Sequence, residues 1–363
     1  MIWIMIVAML VYLGGNLYIF IRALQAMSTL PPAAHVLFGI LFWIAAIALF
    51  LSIGLRNMSL PSVLFKSLFT VGSIWMVFTL YMVVSMGIMD VVHLFIPGFN
   101  YGFYCALAVT LSLLVYGYVN YRNPSVERIE LSSSKLPTGE CYRVAVVSDV
   151  HLGYGTNRAD LARYVDMINE YRPDAVVIVG DLIDNSTKPV EQDDMCCELE
   201  RIQACDGIFL VPGNHEYISG IEDVERYIRT TPIVLLKDSI VGVGPYIELI
   251  GRDDRMNPHR ATLEELMSRC DSGKVNIVLD HQPYAVRESA SLGADAYLAG
   301  HTHRGQVWPL SWAVDAMYDQ SHGVRMWGNT MVYVSSGLSL WGPPFRIGTQ
   351  SELAIIDICG KLC

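Results

Sequence analysis

Five short segments of the 363-residue chain carry side chains able to do chemistry, and each follows an apolar run. They are Asp149-Val150-His151, Gly180-Asp181-Leu182-Ile183-Asp184, Gly213-Asn214-His215-Glu216, Asp280-His281 and Gly300-His301-Thr302-His303. Carboxylates supply hard oxygen donors and imidazoles supply borderline nitrogen donors, a mixture that suits Mn, Fe, Co or Zn. The donors are too many for one structural zinc, and no Cys-x-x-Cys pair is present to build one. Two neighbouring divalent cations suit phosphoryl chemistry. They neutralise charge on the phosphate oxygens and acidify a shared water toward a pKa of about 7. Asp-x-His and Gly-Asp-x-x-Asp are weak alone, Gly-Asn-His-Glu and Gly-His-Thr-His are stronger, and the ordered set, each member closing an apolar run, is strong.

Such donors need a scaffold that ends several strands at one edge. Short apolar runs at 144–148, 175–179, 208–211, 246–250, 276–279, 296–299, 331–334 and 353–356 read as strands. Mixed segments at 158–170, 191–202, 221–228, 262–269 and 284–289 read as helices. This alternation predicts a layered α/β domain, and in such sheets ligands collect beyond the carboxyl ends of strands. All five segments fall at strand ends.

In order, Asp-x-His, 28 residues, Gly-Asp-x-x-Asp, 28 residues, Gly-Asn-His-Glu, a lone His and Gly-His-x-His resemble the signature of the calcineurin-like metallophosphoesterases, over about 144–357. The resemblance implies two packed β-sheets with helices on both outer faces, a four-layer sandwich. It implies that Asp149, His151 and His303 hold one metal, that Asn214, His281 and His301 hold a second, and that Asp181 bridges them. His215 would face the scissile phosphate, stabilise its charge or protonate the leaving oxygen, and Asp184 would orient the His215 ring. The implied reaction is hydrolysis of a phosphodiester or pyrophosphate by a metal-bridging hydroxide, with no covalent intermediate. The implied cofactors are two divalent ions per chain, Mn first, Fe or Zn otherwise.

A narrower likeness, in 126–153, 300–306 and 333–356, is to membrane-attached bacterial members of the family. Some of these act on phospholipid-like or UDP-diacylglucosamine substrates. Where they have Gly, this chain has Arg304, which is expected to add a cation at the site mouth. Arg346, in a Pro-Pro-Phe-Arg turn, is expected to approach the substrate as a bidentate phosphate contact. Asp253 and Asp254 are expected to order a loop, since the ligand set is already full. His259 and His322 are expected at the surface or pocket rim. Trp308, Trp312, Trp327 and Trp341 read either as core or as a lipid-facing entrance.

The composition, 53% hydrophobic and 17% charged, excludes intrinsic disorder. Residues 1–120 carry only Arg22, Arg56, Lys66 and Asp90, a net charge of +2, and the remainder carries −12. Four apolar runs, 2–21, 33–55, 67–89 and 101–119, are long enough to cross a bilayer as helices. The first lacks a basic leader and is expected to be an uncleaved span. The expected organisation is therefore a four-helix transmembrane region at 1–120, a juxtamembrane linker at 121–142 (or an edge segment), and a metallophosphoesterase domain at 143–363. Arg56, Lys66, Arg122, Arg128 and Lys135 fall on one side of the bilayer and Arg22 on the other. The N-terminus and catalytic domain are thus expected on the cytoplasmic face of the inner membrane. Asp90 and His93 are expected in an interfacial stretch or loop.

The expected partners are a lipid-linked phosphoester and the bilayer. An acidic domain is a poor match for nucleic acid, so none is expected. A soluble nucleotide or phosphoprotein substrate is the alternative, and a non-catalytic scaffold or transporter is a more distant one. The eight cysteines are irregularly spaced and are expected to be thiols in a reducing compartment. The oligomeric state is open.

Overall fold

The structure, a computed structural model, describes residues 2–55 and 62–361. It divides into two compact units: Met1–Val119 with Gly342–Phe345, and Asn120–Trp341 with Arg346–Cys363.

The first unit is built on four helices: α1 (Ile2–Ala26), α2 (Pro32–Gly54), α3 (Ser62–Phe95) and α4 (Gly102–Arg122), whose last residues enter the second unit. All four are long and apolar enough to cross a membrane. Lipid cannot satisfy exposed backbone groups, so an apolar stretch there closes its own hydrogen bonds as a helix. Pro32 opens α2, a position where its missing N–H is no loss. Ile19, Phe42, Met82, Met86 and Ala106 form the interior of the bundle. The buried Asn16 accepts a hydrogen bond from Trp75 Nε1 at 2.8 Å, tying α1 to α3. Val11, Leu37, Val63 and Val115 point outward and suit contact with acyl chains.

One expectation is narrowed here. Asp90 and His93 lie inside α3, not in a loop, because no Pro or Gly interrupts the chain between them and Pro97-Gly98. Arg56, used in the orientation argument, lies outside the described residues.

Among the described residues the second unit has twelve strands: β1 (Ser125–Ser133), β2 (Cys141–Val147), β3 (Ala175–Val179), β4 (Ile208–Val211), β5 (Ile233–Leu235), β6 (Ser239–Val243), β7 (Ile247–Gly251), β8 (Val275–Leu279), β9 (Ala296–Ala299), β10 (Gly323–Trp327), β11 (Thr330–Val334) and β12 (Glu352–Gly360). They form two six-stranded sheets, β1-β12-β2-β3-β4-β5 and β10-β11-β9-β8-β7-β6.

Side chains alternate across each strand, and that alternation builds the layers. Val144, Val146, Val177 and Val179 of the first sheet face Leu249, Ile277, Leu279 and Leu298 of the second. Ala145, Val147, Val176 and Ile178 face outward onto helix α5 (Arg158–Glu170) through Leu161, Val165 and Ile168. Ile250, Val278 and Tyr297 do the same on the other side, against Leu263, Leu266 and Val286. The result is the expected four-layer sandwich. Strands buried on both faces must be apolar throughout, which is why they are visible as continuous runs.

Segment 121–142 is not a free linker. Tyr121 and Arg122 finish α4, and β1 pairs residue for residue with β12 as a parallel edge strand. Ile129 and Leu131 are buried, while Arg128, Glu130 and Ser132 are exposed, a half-buried alternation obscured by the surrounding polarity. The predicted helix at 191–202 breaks into Lys188–Gln192 and Cys196–Leu199.

The cysteine expectation is also corrected. Cys141 and Cys359 stand opposite each other in the β2–β12 ladder and form a disulfide. Their 218-residue separation hides the pairing from any spacing argument. Cys105, Cys196, Cys197, Cys205 and Cys270 are free thiols, and Cys363 lies outside the described residues.

Candidate metal centre

The five chemical segments leave the C-terminal ends of β2, β3, β4, β8 and β9, which run parallel within each sheet. Asp149, His151, Asp181, His301 and His303 all have positive φ, between 47° and 70°. That conformation costs a residue bearing a Cβ about 1 kcal/mol or more, and it is concentrated at functional sites. It turns each side chain sharply back over the strand ends. Two glycines permit the crowding. A Cβ on Gly213 would sit 2.2 Å from Asp181 Oδ1, and one on Gly300 would sit 1.8 Å from Ser148 Oγ.

Three donor trios result, each with its atoms within 4.8 Å: Asp149, His151 and His303; His151, Asp181 and His215; and Asp181, His281 and His301. Asp181 Oδ2 lies 3.1 Å from His281 Nε2 and 3.8 Å from His151 Nε2, so it stands between the outer trios. His303 Nε2 is 3.3 Å from Asp149 Oδ1 and 3.2 Å from His151 Nε2. Two imidazole nitrogens this close, facing a carboxylate, make poor mutual hydrogen bonds and good common ligands.

Buried atoms support that fit. Asp149 Oδ1, Asn214 Oδ1 and His281 Nε2 are buried with no hydrogen-bond partner. Orphaned acceptors of this kind are rare in folded proteins, and several converging on one point suit divalent cations. His281 Nδ1 is 2.7 Å from the Val179 carbonyl; in the neutral ring, donating there would leave Nε2 as the lone-pair atom.

Electrostatics separates the histidines. Burial pushes His151 down to about 4, and burial with the nearby His281 charge does the same to His301. Burial, joined by the Arg346 charge, also holds His303 well below the usual range. Neutral imidazoles are the form that binds metal. His215 differs. Burial pulls it down, but the Asp184 hydrogen bond and the Asp181 and Asp184 charges outweigh burial and hold it above 6.5. Its Nδ1 donates to Asp184 Oδ1 at 2.9 Å, and its backbone N donates to Asp181 Oδ1 at 2.8 Å.

Glu216 was visible as a motif letter without a role. It is fully buried and accepts from the backbone N–H groups of Asp181 (2.9 Å), Ile183 (3.0 Å) and Gly213 (2.7 Å). It pins the β3 and β4 loops together.

A family profile for the calcineurin-like phosphoesterases matches residues 142–305. An uncharacterised metallophosphoesterase of Helicobacter pylori is 32% identical over 267 residues, covering 72% of this chain and 70% of its own. The chain belongs to the calcineurin-like metallophosphoesterases. A zebrafish transmembrane protein with a metallophosphoesterase domain is 34% identical over 271 residues, covering 69% of this chain; the match spans 61% of the zebrafish protein's length. Among solved structures, a putative 5′-nucleotidase of Staphylococcus aureus is 17% identical with a TM-score of 0.40, covering 59% of this chain and 54% of its own.

This metallophosphoesterase is a phosphoric ester hydrolase of a family that uses paired divalent metals. Its remaining predicted site residues fall as follows. Arg346 is the correction: it is fully buried and touches no open surface. It donates to the carbonyls of His303 (2.8 Å), Ser339 (3.0 Å), Gly337 (3.3 Å) and Ser336, so it clamps two loops of the site and cannot meet substrate. Arg304 is half-buried on the turn after His303. Asp253 accepts from Tyr217 and Asn257 and Asp254 from Gln282; neither joins a donor trio. His259 is exposed, and His322 bonds to the buried Glu352. Trp308, Trp312 and Trp341 are exposed, and the Trp341 ring lies 6.1 Å from that of His215.

Proposed function

We propose that this protein is an integral-membrane phosphoesterase that hydrolyses a phosphodiester or pyrophosphate bond in a membrane lipid or nucleotide-linked lipid, using two divalent cations. The observation that carries the dinuclear reading is the pair of outer donor trios flanking Asp181, with unpartnered buried acceptors in both halves. Asp149, His151 and His303 would hold one ion, Asn214, His281 and His301 the other, with Asp181 shared. Bound cations supply positive charge to the phosphate oxygens and a water acidic enough to ionise near neutral pH. Manganese is the first choice, with iron or zinc close behind on donor chemistry.

The chain's own residues do the rest. His215, with Nδ1 anchored on Asp184, presents Nε2 to the leaving oxygen and hands it a proton. Asp184 fixes the ring's tautomer and stabilises its cation. Glu216 keeps Asp181 and Gly213 in register. Arg304 adds charge at the mouth.

The lipid reading draws support from the surface that follows the His301-Thr302-His303 turn. Trp308, Leu310, Trp312 and Met317 are all exposed, and Trp312 and Met317 are more than three-fifths so. Aromatic and aliphatic side chains together suit a headgroup–acyl boundary. The loop cations favour a cytoplasmic catalytic unit in the inner membrane.

The test uses purified full-length protein in detergent. About two metal ions per chain, with hydrolysis of lipid phosphodiesters or pyrophosphates preferred over soluble nucleotides, is the expected result. Preference for soluble substrates would move the assignment to the alternative reading. Fewer than one ion per chain, unrestored by added Mn, would remove the mechanism.

A further inference from the structure

The first unit carries a second polar constellation that the reaction does not use. At the end of the bundle where α1 and α3 finish and α4 begins, a cavity of about 410 Å³ opens. That volume lies within the range of small-ligand sites. Arg22 and Gln25 of α1, His93 of α3, Asn100 of the connecting turn, and Tyr104 of α4 give it polar walls, beside Met89 and Phe103. Two of the four charged residues in positions 1–120 meet here, Arg22 and Asp90. Charges within membrane spans are costly and usually functional.

The Arg22–Asp90 pair, at 2.7 Å, with Tyr18 also bonded to Asp90, accounts for one guanidinium nitrogen. It does not account for the rest. Gln25, His93 and Asn100 are exposed at the rim; Gln25 and Asn100 make no side-chain hydrogen bond among the described residues, and His93 uses Nδ1, at 3.1 Å from the Phe99 carbonyl. No acidic side chain lines the cavity. Its far wall is the first turn of the 21-residue α4, whose N–H groups and dipole add positive potential. Cation, amide donors and helix start thus converge on one apolar-edged recess.

We propose that this recess binds a phosphate-bearing anion, with Arg22 as its charged contact and Asn100 and Gln25 as its donors. Two sources share that chemistry, the headgroup of an anionic phospholipid and a free phosphate.

The test is a ligand titration of full-length protein in detergent, treated with chelator so that the catalytic unit holds no metal, with bound ligand counted by native mass spectrometry. The probes are dihexanoyl phosphatidylglycerol, dihexanoylglycerol lacking phosphate, and inorganic phosphate. The expected result is one saturable phosphatidylglycerol site absent for dihexanoylglycerol. Arg22→Gln should weaken it about tenfold, the scale of a lost charge-assisted contact. Asn100→Ala should weaken it about threefold, while leaving the Arg22–Asp90 pair intact if Arg22→Gln fails to fold. Asp181→Asn should leave it unchanged. Competition by inorganic phosphate identifies the free anion as occupant, and failure to compete identifies the headgroup. Equal binding of dihexanoylglycerol, or affinity unchanged in Asn100→Ala and in any folded Arg22→Gln, overturns the proposal.

Discussion

His215 and Asp184 are each about nine-tenths buried and share one short hydrogen bond, so neither can be altered without the other. Asp184→Asn keeps the shape but removes the charge that favours the protonated His215 ring. A loss of about 10–100-fold in kcat is expected, the usual cost of an outer-shell partner, with metal content near that of wild type. Steady-state hydrolysis of a phosphodiester beside elemental analysis checks it; metal loss in step with activity would make Asp184 a structural residue instead. The segments whose carboxylates and imidazoles the fold brings together were legible from residue type and order. The part played by Arg346 was not. A guanidinium in a proline turn looks like a surface contact until one sees that its donors end on the carbonyls of His303, Ser336, Gly337 and Ser339. Spacing reports which atoms are available and is silent on which way they face.

At the scale of elements, two buried side chains hold the loop that follows β11. Arg346 is one. Arg346→Met should leave several carbonyls without donors and cost about 1–3 kcal/mol for each one left unpaired. Arg346→Lys should not restore it, since one ammonium cannot span both loops. Thermal unfolding in detergent reads both. Glu352, at the start of β12, is the other; it accepts from His322, Tyr333 and the Ser336 N–H. Burial would raise its pKa, but these bonds hold it below 4.5, so folding favours the carboxylate. Its contribution is therefore complete above the unfolded pKa and disappears as pH falls through the lower folded one. Glu352→Gln should cost about 1–3 kcal/mol at pH 7, with the gap closing below about pH 4. A constant gap across that range would assign the effect to packing. The strands buried on both faces were readable as apolar runs, whereas β5, β6 and β10 were not: they are three to five residues long and partly exposed. Edge strand β1 was hidden by the polar residues that water-facing positions require.

For the whole molecule, charge and sulfur give opposing indications. The cations flanking the spans favour a cytoplasmic catalytic unit, where thiols stay reduced, while the Cys141–Cys359 bond is of a kind kept in oxidising compartments. On the cytoplasmic reading, cells quenched in acid and treated with a maleimide polymer should show both cysteines labelled. Full protection until reductant is added would invert the topology. The division into an apolar and an acidic part was plain from the placement of charge, because a bilayer and water select opposite compositions. One feature of the metal centre reaches beyond catalysis. The contorted backbone at Asp149, His151, Asp181, His301 and His303 is held by the sheets beneath it. Such a frame would offer the same oxygen and nitrogen donors to several ions of similar radius, which donor type alone separates weakly. The mineral supply of the surrounding compartment, more than the polypeptide, then selects which element does the work.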